Sequence, residues 1–249
     1  MRKMEYEELE QILNERKDNE KLELRDLEFD DMDLSDRDLH NIDFEVCMFR
    51  DVKLDGADLS ESSVKNAQLD GCSLRSANFQ NAEMLGACMR GCDMTGCNIC
   101  GANLYAAVLE NAILTDVKSD ENTKWYRLRC PEMGAFVAYK KCVYDRIVQL
   151  LVPADAKRTS STYPACRCNK AKVLTIKSFD ETEEFDEAWS LVDENFVYRK
   201  GQWVEVKDFN EDRWFDSTTG IHFWMNREGL PERNDSSFLK PGSRNIFCA

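Results

Sequence analysis

From Leu24 to Leu114 every fifth residue is apolar: Leu24, Phe29, Leu34, Leu39, Phe44, Phe49, Leu54, Leu59, Val64, Leu69, Leu74, Phe79, Met84, Met89, Met94, Ile99, Leu104, Leu109 and Leu114. With 43% of the chain apolar, a run of 19 without a slip has a chance probability on the order of 10⁻⁷. A second position keeps the same register. Two residues before each of these centres, from Ala57 onward, stand only Ala, Ser or Cys, as in Ala57, Ser62, Ala67, Cys72 and Ala77. Gly, Asn or Asp often stands two after the centre, as in Gly56, Asn66, Gly71 and Asn81. Strands repeat every 2 residues and helices every 3.6, so neither explains the pattern. A strict period of five needs a backbone that turns a corner every five residues. Four such sides close a square, with one large and one small side chain inside each side, and position i then lies against position i+20. Successive squares stack at the strand spacing of about 4.8 Å.

The motif A(D/N)LXX, present here as GADLS, RSANF, GCNIC and GANLY, resembles the pentapeptide-repeat family over about residues 22–117. The resemblance implies a right-handed quadrilateral β-helix of about five coils, a rod about 23 Å long. Leu22, Leu27, Met32, Arg37, Ile42 and Val52 are too large for the small slot, so the first coils are expected to be wider or irregular, with Arg37 turned outward. Within residues 1–20, Leu9, Ile12 and Leu13 fall at i, i+3 and i+4 among Glu and Lys, which predicts an amphipathic α-helix capping the first coil. Residues 124–249 are expected to cover the other end.

The five-residue period stops at Lys124. Strands are predicted over 134–141 (GAFVAYKK) and 172–179 (KVLTIKSF), and between them RIVQLLVPADAKR (146–158) carries an apolar run ended by Pro153. The segment NFVYRKGQWVEV (195–206) reads as a hairpin turning at Lys200-Gly201, and GIHFWMN (220–226) alternates Ile221, Phe223 and Met225 against His222 and Trp224. The expected fold class is therefore all-β dominated: an N-terminal capping α-helix (1–20), the β-helix (21–123), a β-rich α+β domain (124–228) with one or two short helices, and a loose tail (229–249). The succession LLVPADAKRTSS, CRCNKAKVL, FVYRKGQWV and GIHFWMNRE, over most of 125–228, resembles an uncharacterised domain that follows pentapeptide repeats in bacterial and phage proteins, and that resemblance brings no catalytic residues with it.

Charge sharpens the picture. The net charge is −14. Residues 1–123 carry −15 and residues 124–249 carry +1, and within the repeats residues 21–65 alone carry −8. Such a balance argues against direct nucleic-acid binding or an anionic membrane surface. No apolar run is long enough to span a bilayer, and the first residues lack the apolar core of a signal peptide. Stacking outward positions i and i+20 predicts an inter-coil charge ladder of Asp30, Arg50, Asp70, Arg90 and Glu110, and an acidic face of Asp38, Asp43, Glu45 and Asp58.

The chain has 11 cysteines and 2 histidines. Cys47, Cys72, Cys92 and Cys97 occupy the small slot as core filler, while Cys88 and Cys100 fall at outward registers. Cys166, Cys168 and His222 are the candidates for a metal, although the usual CxxC spacing is missing. The stretch RTSS (158–161) is a weak phosphate-binding signal, and no phosphate cradle, nucleophile elbow or metalloprotease motif occurs.

The composition thus favours a cytoplasmic protein with reduced thiols and without cofactor, monomeric or dimeric. It reads as a non-enzymatic protein-interaction scaffold whose partner is another protein. The resemblance adds an alternative: a DNA-mimic inhibitor or protector of DNA gyrase or another type II topoisomerase. A rod of about 23 Å matches about 14 phosphates of duplex, and residues 21–123 carry −12. A metal, nucleotide or enzymatic activity in the second domain, built on Arg158, Ser160, Cys166, Cys168 and His222, is the third reading.

Overall fold

The computed structural model describes residues 1–17, 20–193 and 195–230. It is strand-dominated, with one α-helix among the described residues and no helix long and apolar enough to cross a membrane. The chain falls into two compact units, Met1–Arg127 and a second beginning at Leu128. The expected tail at 229–249 lies almost wholly outside the described residues.

In the first unit the backbone takes a left-handed conformation at every fifth residue, from Asp26 (φ 56°) through Gly56 (φ 68°) and Gly101 (φ 72°) to Asp116 (φ 56°). These are the positions two after each apolar centre. From Gly56 on, each is the third residue of a turn closed by a hydrogen bond to the centre's carbonyl, as in Ala57 N to Leu54 O (3.1 Å) and Ala82 N to Phe79 O (3.0 Å). A positive φ at the third residue is what a type II turn demands, which is why Gly, Asn and Asp collect there.

Between turns the chain pairs in parallel with itself, position i against position i+20. The bridges run in columns, as in Asp33–Lys53–Ser73–Asp93–Ile113 and Asp38–Asp58–Asn78–Asn98–Lys118. Amides at the centres donate to carbonyls at i+19, for example Leu59 N to Asn78 O (2.7 Å) and Leu74 N to Asp93 O (2.8 Å). At the start of the ladder the contacts lengthen into short strands: β1 (Arg2–Lys3), β2 (Leu22–Glu23), β3 (Leu27–Asp30), β4 (Ile42–Asp43) and β5 (Met48–Arg50), with sheet orders β1-β3-β5 and β2-β4.

All centres from Leu24 to Leu109 are buried, and Leu114 is half-buried. The small slot is buried from Ala57 to Ala107. In the first tiers Leu27, Met32, Ile42 and Val52 also point inward, despite their size. They do so beside an aromatic cluster in which Phe29 stacks on Phe49 (4.8 Å) and Phe44 meets both edge-on (5.7 and 5.6 Å). Arg37 is turned outward, where it donates to Tyr6 Oη (2.8 Å) and pairs with Glu10 (3.0 Å).

Those two partners lie on α1 (Tyr6–Glu15), the expected capping helix. Leu9 is buried, while Ile12 and Leu13 are half-buried. The cap also has a part that the helical period does not announce: β1 adds in parallel to β3, so Met4 is buried and its amide donates to Glu28 O (2.8 Å). At the other end the ladder slips by one residue, Asn103 pairing with Lys124. There the Asp120 carboxylate accepts from Gly101 N (2.9 Å), replacing the backbone carbonyl that serves this role in earlier tiers.

The second unit holds β6 (Phe136–Lys141), β7 (Ile147–Val152), β8 (Arg158–Ser160), β9 (Cys166–Cys168), β10 (Lys170–Lys177), β11 (Glu187–Trp189), β12 (Val197–Arg199), β13 (Trp203–Glu205) and β14 (Ile221–Phe223). The sheets are antiparallel, ordered β13-β10-β7-β6, β14-β9-β8 and β11-β12. A bridge between Tyr139 and Trp224 joins the first two along β6. Ala138, Val148, Leu150, Val173, Ile176, Tyr198 and Phe223 form the core between them. The expected hairpin at 195–206 is not one. Strand β12 pairs with β11 and β13 pairs with β10, because Gly201 (φ 79°) carries the chain from one sheet to the other and bonds Val173 O through its amide. The only helical turn among this unit's described residues is a 3₁₀ turn at Val143–Asp145.

Val46 is the one β-branched residue at a left-handed corner (φ 62°). A left-handed β-branched residue costs roughly 1–2 kcal/mol, which glycine avoids. Val46→Gly is therefore expected to raise stability by about 1 kcal/mol in urea titration, against the usual destabilising sense of a Gly substitution.

Candidate functional site

The outward residues just before each centre form the faces of the first unit. On one face Asn78 Nδ2 donates to Asp58 Oδ1 (2.9 Å) and Asn98 Nδ2 to Asn78 Oδ1 (2.9 Å). Each of these side chains also accepts from the amide two residues on, as with Ser60 N (3.0 Å), Gln80 N (3.2 Å) and Cys100 N (3.1 Å). Short Asp and Asn side chains suit this double role, so the D/N of the motif builds a stiff rail across tiers. Asp38 begins the same column, bonded to His40 Nδ1, whose backbone carbonyl accepts from Arg16 Nη2 (2.6 Å) at the foot of α1. A recess of about 240 Å³ lies here, lined by Glu10, Leu13, Arg16, Arg37, Asp38 and His40.

The sequence-predicted acidic face does not form one surface. Asp43 is buried, held by Arg25 (2.5 Å) and Lys21 (3.6 Å), and Glu45 shares Arg25 (3.5 Å). Burial works to raise the Asp43 pKa, but Arg25 and the Glu45 amide outweigh it and hold the carboxyl below its ordinary range. Only Asp38 and Asp58 share a column. The charge ladder is half formed. Arg90 bridges Asp70 (3.7 Å) and Glu110 (3.4 Å), whereas Asp30 pairs with Lys3 (2.9 Å) and Arg50 turns to Glu28 (2.7 Å). The cap strand captures Asp30, an interaction that column-stacking of the repeats alone does not contain.

Acids that face water lie elsewhere. Asp26, Asp31, Asp36, Asp51 and Glu61 stand at left-handed corners, exposed. They ring the first tiers as a collar, and none is among the ion pairs of the described residues. Sequence reasoning could have found them from the αL preference of Asp at the +2 register.

Slot cysteines serve the core. Cys47, Cys92 and Cys97 donate to the carbonyls of Leu24 (2.8 Å), Leu69 (2.9 Å) and Leu74 (2.7 Å) one tier away. Burial pushes Cys47 and Cys97 up to about 12 and Cys72 to about 11, which makes these thiols inert at neutral pH. Cys100 is half-exposed, as its register implies. Cys88 keeps its outward register, in the column Gln68–Cys88–Val108, yet its side chain is fully buried, with Arg90 Nη1 4.0 Å from its sulfur.

In the second unit Cys166, Cys168 and His222 do not converge. His222 is paired in register with Arg167, so it lies on the opposite face of β9 from the two cysteines, and no metal-binding group occurs among the described residues. Arg158 is spent on structure, its guanidinium donating to the carbonyls of Pro131, Gly134, Pro153, Ala154 and Ala156. Ser160 accepts from Arg129 N (2.9 Å). These contacts leave the RTSS stretch no open phosphate cradle.

Sequence reasoning missed a buried polar cluster on the far face of β9. Arg167 donates to the carbonyls of Asn210, Asp212, Phe215 and Thr219 and thereby folds the loop 207–220 over the sheet. Ser161 Oγ donates to Asp216 Oδ1 (2.6 Å), and His222 Nε2 lies 3.3 Å from Asp216 O. Burial raises the Asp216 pKa. Burial, aided by Lys140, depresses His222 to about 4. An Arg between two cysteines on a short strand was the available signal.

His222 is neutral when folded and ordinary when unfolded. Its contribution is therefore whole above pH 6.5 and drains away as the unfolded chain takes up a proton on acidification towards pH 4. Melting temperature is expected to fall between pH 6.5 and 5, above the carboxylate range, and His222→Gln is expected to flatten that slope.

Comparison with known proteins supports both halves. Pentapeptide-repeat models match residues 28–66, 60–96 and 92–118, and the model of a family of unknown function, DUF5758, matches 126–229. No curated protein matches. Among solved structures, a pentapeptide repeat protein of the Arabidopsis thaliana thylakoid lumen aligns at 20% identity over 37% of this chain and 68% of its own, with a TM-score of 0.32. One from the cyanobacterium Cyanothece 51142 aligns at 28% identity over 41% of this chain and 62% of its own, with a TM-score of 0.21. QnrB1, a plasmid-mediated fluoroquinolone resistance protein, aligns at 15% identity over 40% of this chain and 83% of its own, with a TM-score of 0.19. TM-scores this low align no whole fold, and the roles of these proteins are not transferred. The chain is a pentapeptide-repeat protein that carries a DUF5758 domain after its repeats.

Proposed function

We propose that the repeat unit is a right-handed quadrilateral β-helix of about five coils and that it works as a non-enzymatic protein-binding scaffold in the cytoplasm. Parallel pairing of position i with i+20 and a left-handed corner at every fifth position support the geometry. The observation that carries the function is the acidic collar: Asp26, Asp31, Asp36, Asp51 and Glu61 project from a backbone fixed by hydrogen bonds on both sides. Fixed charges lose little freedom on binding, so the collar suits a basic protein surface. Chemically capable groups elsewhere are occupied: the slot thiols by carbonyls, Arg158 by five carbonyls and His222 by burial.

A second reading follows from the same collar. A surface that normally binds DNA is basic, and a rigid acidic rod can occupy it, so inhibition or protection of a type II topoisomerase is the alternative. Internal pairing of Asp30, Asp43 and Asp93 makes the mimicry weaker than the raw charge suggests.

Affinity capture with the intact chain is expected to retain a partner that the combined variant Asp31→Asn, Asp36→Asn, Asp51→Asn, Glu61→Gln loses at least tenfold. Asn is native to left-handed corners here, so the fold should survive. Equal capture by both proteins removes the collar from the interface. Supercoiling by gyrase separates the two readings: an unchanged reaction at micromolar protein, with or without a quinolone, eliminates the topoisomerase alternative.

A further inference from the structure

The recess between α1 and the first tier, about 240 Å³, runs against the charge of the unit that contains it. Three cations line it, Arg16, Lys17 and Arg37, against two carboxylates, Glu10 and Asp38, with His40 in the wall. With the imidazole neutral that leaves one net positive charge, within residues 1–123 that together carry −15.

Both carboxylates are engaged. Arg37 holds Glu10 (3.0 Å), and Asp38 accepts from His40 Nδ1 with its side chain 69% exposed, where water screens its charge. Arg16 and Lys17 are different: neither belongs to an ion pair among the described residues. Arg16 donates through Nε to Glu20 O (3.0 Å) and through Nη2 to His40 O (2.6 Å), and Nη2 also lies 3.3 Å from His40 Nε2. Those acceptors lie outside α1, so the guanidinium is not spent on the last carbonyls of the helix. Two carbonyls fix its plane without cancelling its charge, and no partner among the described residues takes Nη1. The ordering that an arginine ordinarily undergoes on meeting a ligand is complete before the ligand arrives.

We propose that the recess binds the phosphate group of a small phosphate monoester. Arg16 and Lys17 bring two uncancelled positive charges, which match the charge of close to −2 on a monoester at neutral pH. The free Nη1 of Arg16 offers two N–H groups to phosphate oxygens, and Lys17 adds a point charge from the next position in the chain. Arg37 has given only Nη2, to Tyr6 and Glu10, and its other nitrogens remain as donors. Leu13 supplies an apolar wall, which suits the carbon side of an ester better than a bare ion. A ligand held by Arg16 and Lys17 after the helix and by Arg37 of the first tier clasps the end of α1 to the repeats.

The test is calorimetric titration of the full chain at fixed ionic strength with inorganic phosphate, with phenyl phosphate as the monoester, and with chloride as the control. Saturable binding of both phosphates is expected, phenyl phosphate the tighter with a dissociation constant of about 0.1–1 mM. Melting temperature is expected to rise by a few degrees once the recess is saturated, and not with chloride. Lys17→Gln is expected to weaken binding about threefold or more and to leave the melting temperature without phosphate unchanged. Arg16→Lys keeps the charge but loses the fixed fork, and is expected to weaken binding about tenfold. Should Arg16→Lys loosen the helix, Lys17→Gln decides. Absence of saturable heat up to about 10 mM of either phosphate overturns the proposal. So does affinity unchanged in Lys17→Gln, a recess that takes inorganic phosphate and refuses phenyl phosphate, or equal stabilisation by chloride.

Discussion

Everything in the first unit depends on one backbone constraint: a left-handed residue at every fifth position. The turn it closes puts the next small residue and the next centre inside, and it leaves the amides on either side pointing along the stack. Those amides find carbonyls in the adjoining tiers, at i+19 for Leu59 to Asn78 and at i−21 for Asn78 to Ala57. Without the corner there is no parallel partner in reach, and the backbone groups would be buried unpaired at a cost of about 1–3 kcal/mol each. Composition follows this constraint: later corners are often Gly, earlier ones mostly Asp or Asn, and the same choice that eases the turn puts acid on the outside.

Where the sequence was readable, it was readable because one side chain had one job. Leu59 and Ala77 must face inward in any five-residue period, and they do. Strands β6, β7 and β10 showed alternating or continuous apolar runs. Short strands β8, β9 and β11 did not, since so brief a stretch gives a period nothing to repeat over. The 195–206 segment misled because Lys200-Gly201 offers a good tight turn, while the core prefers to send Tyr198 and Val204 to different sheets.

Electrostatic detail was the least legible. Stacking i on i+20 foresaw the Asp70–Arg90–Glu110 pairs but not the pairing of Lys3 with Asp30, which needs a strand that precedes the repeats. Asp43 reads as a surface acid in the column pattern, yet Arg25 and Lys21 from the preceding tier cover it. In the second unit Arg167 gathers a whole loop through carbonyls, and no side-chain pattern encodes which carbonyls those are.

The pairing of i with i+20 carries a consequence for how such a chain can lengthen. Duplicating four consecutive repeats adds a complete storey in which every column meets its own kind, so the Asp58–Asn78–Asn98 rail simply grows. Duplicating a single repeat keeps the interior filled but rotates everything beyond it by one face. Arg90 would then no longer sit above Asp70, and Asp120 would no longer reach Gly101. Insertions and deletions in descendants of this gene should therefore be counted in whole storeys, with single repeats gained or lost only at the ends.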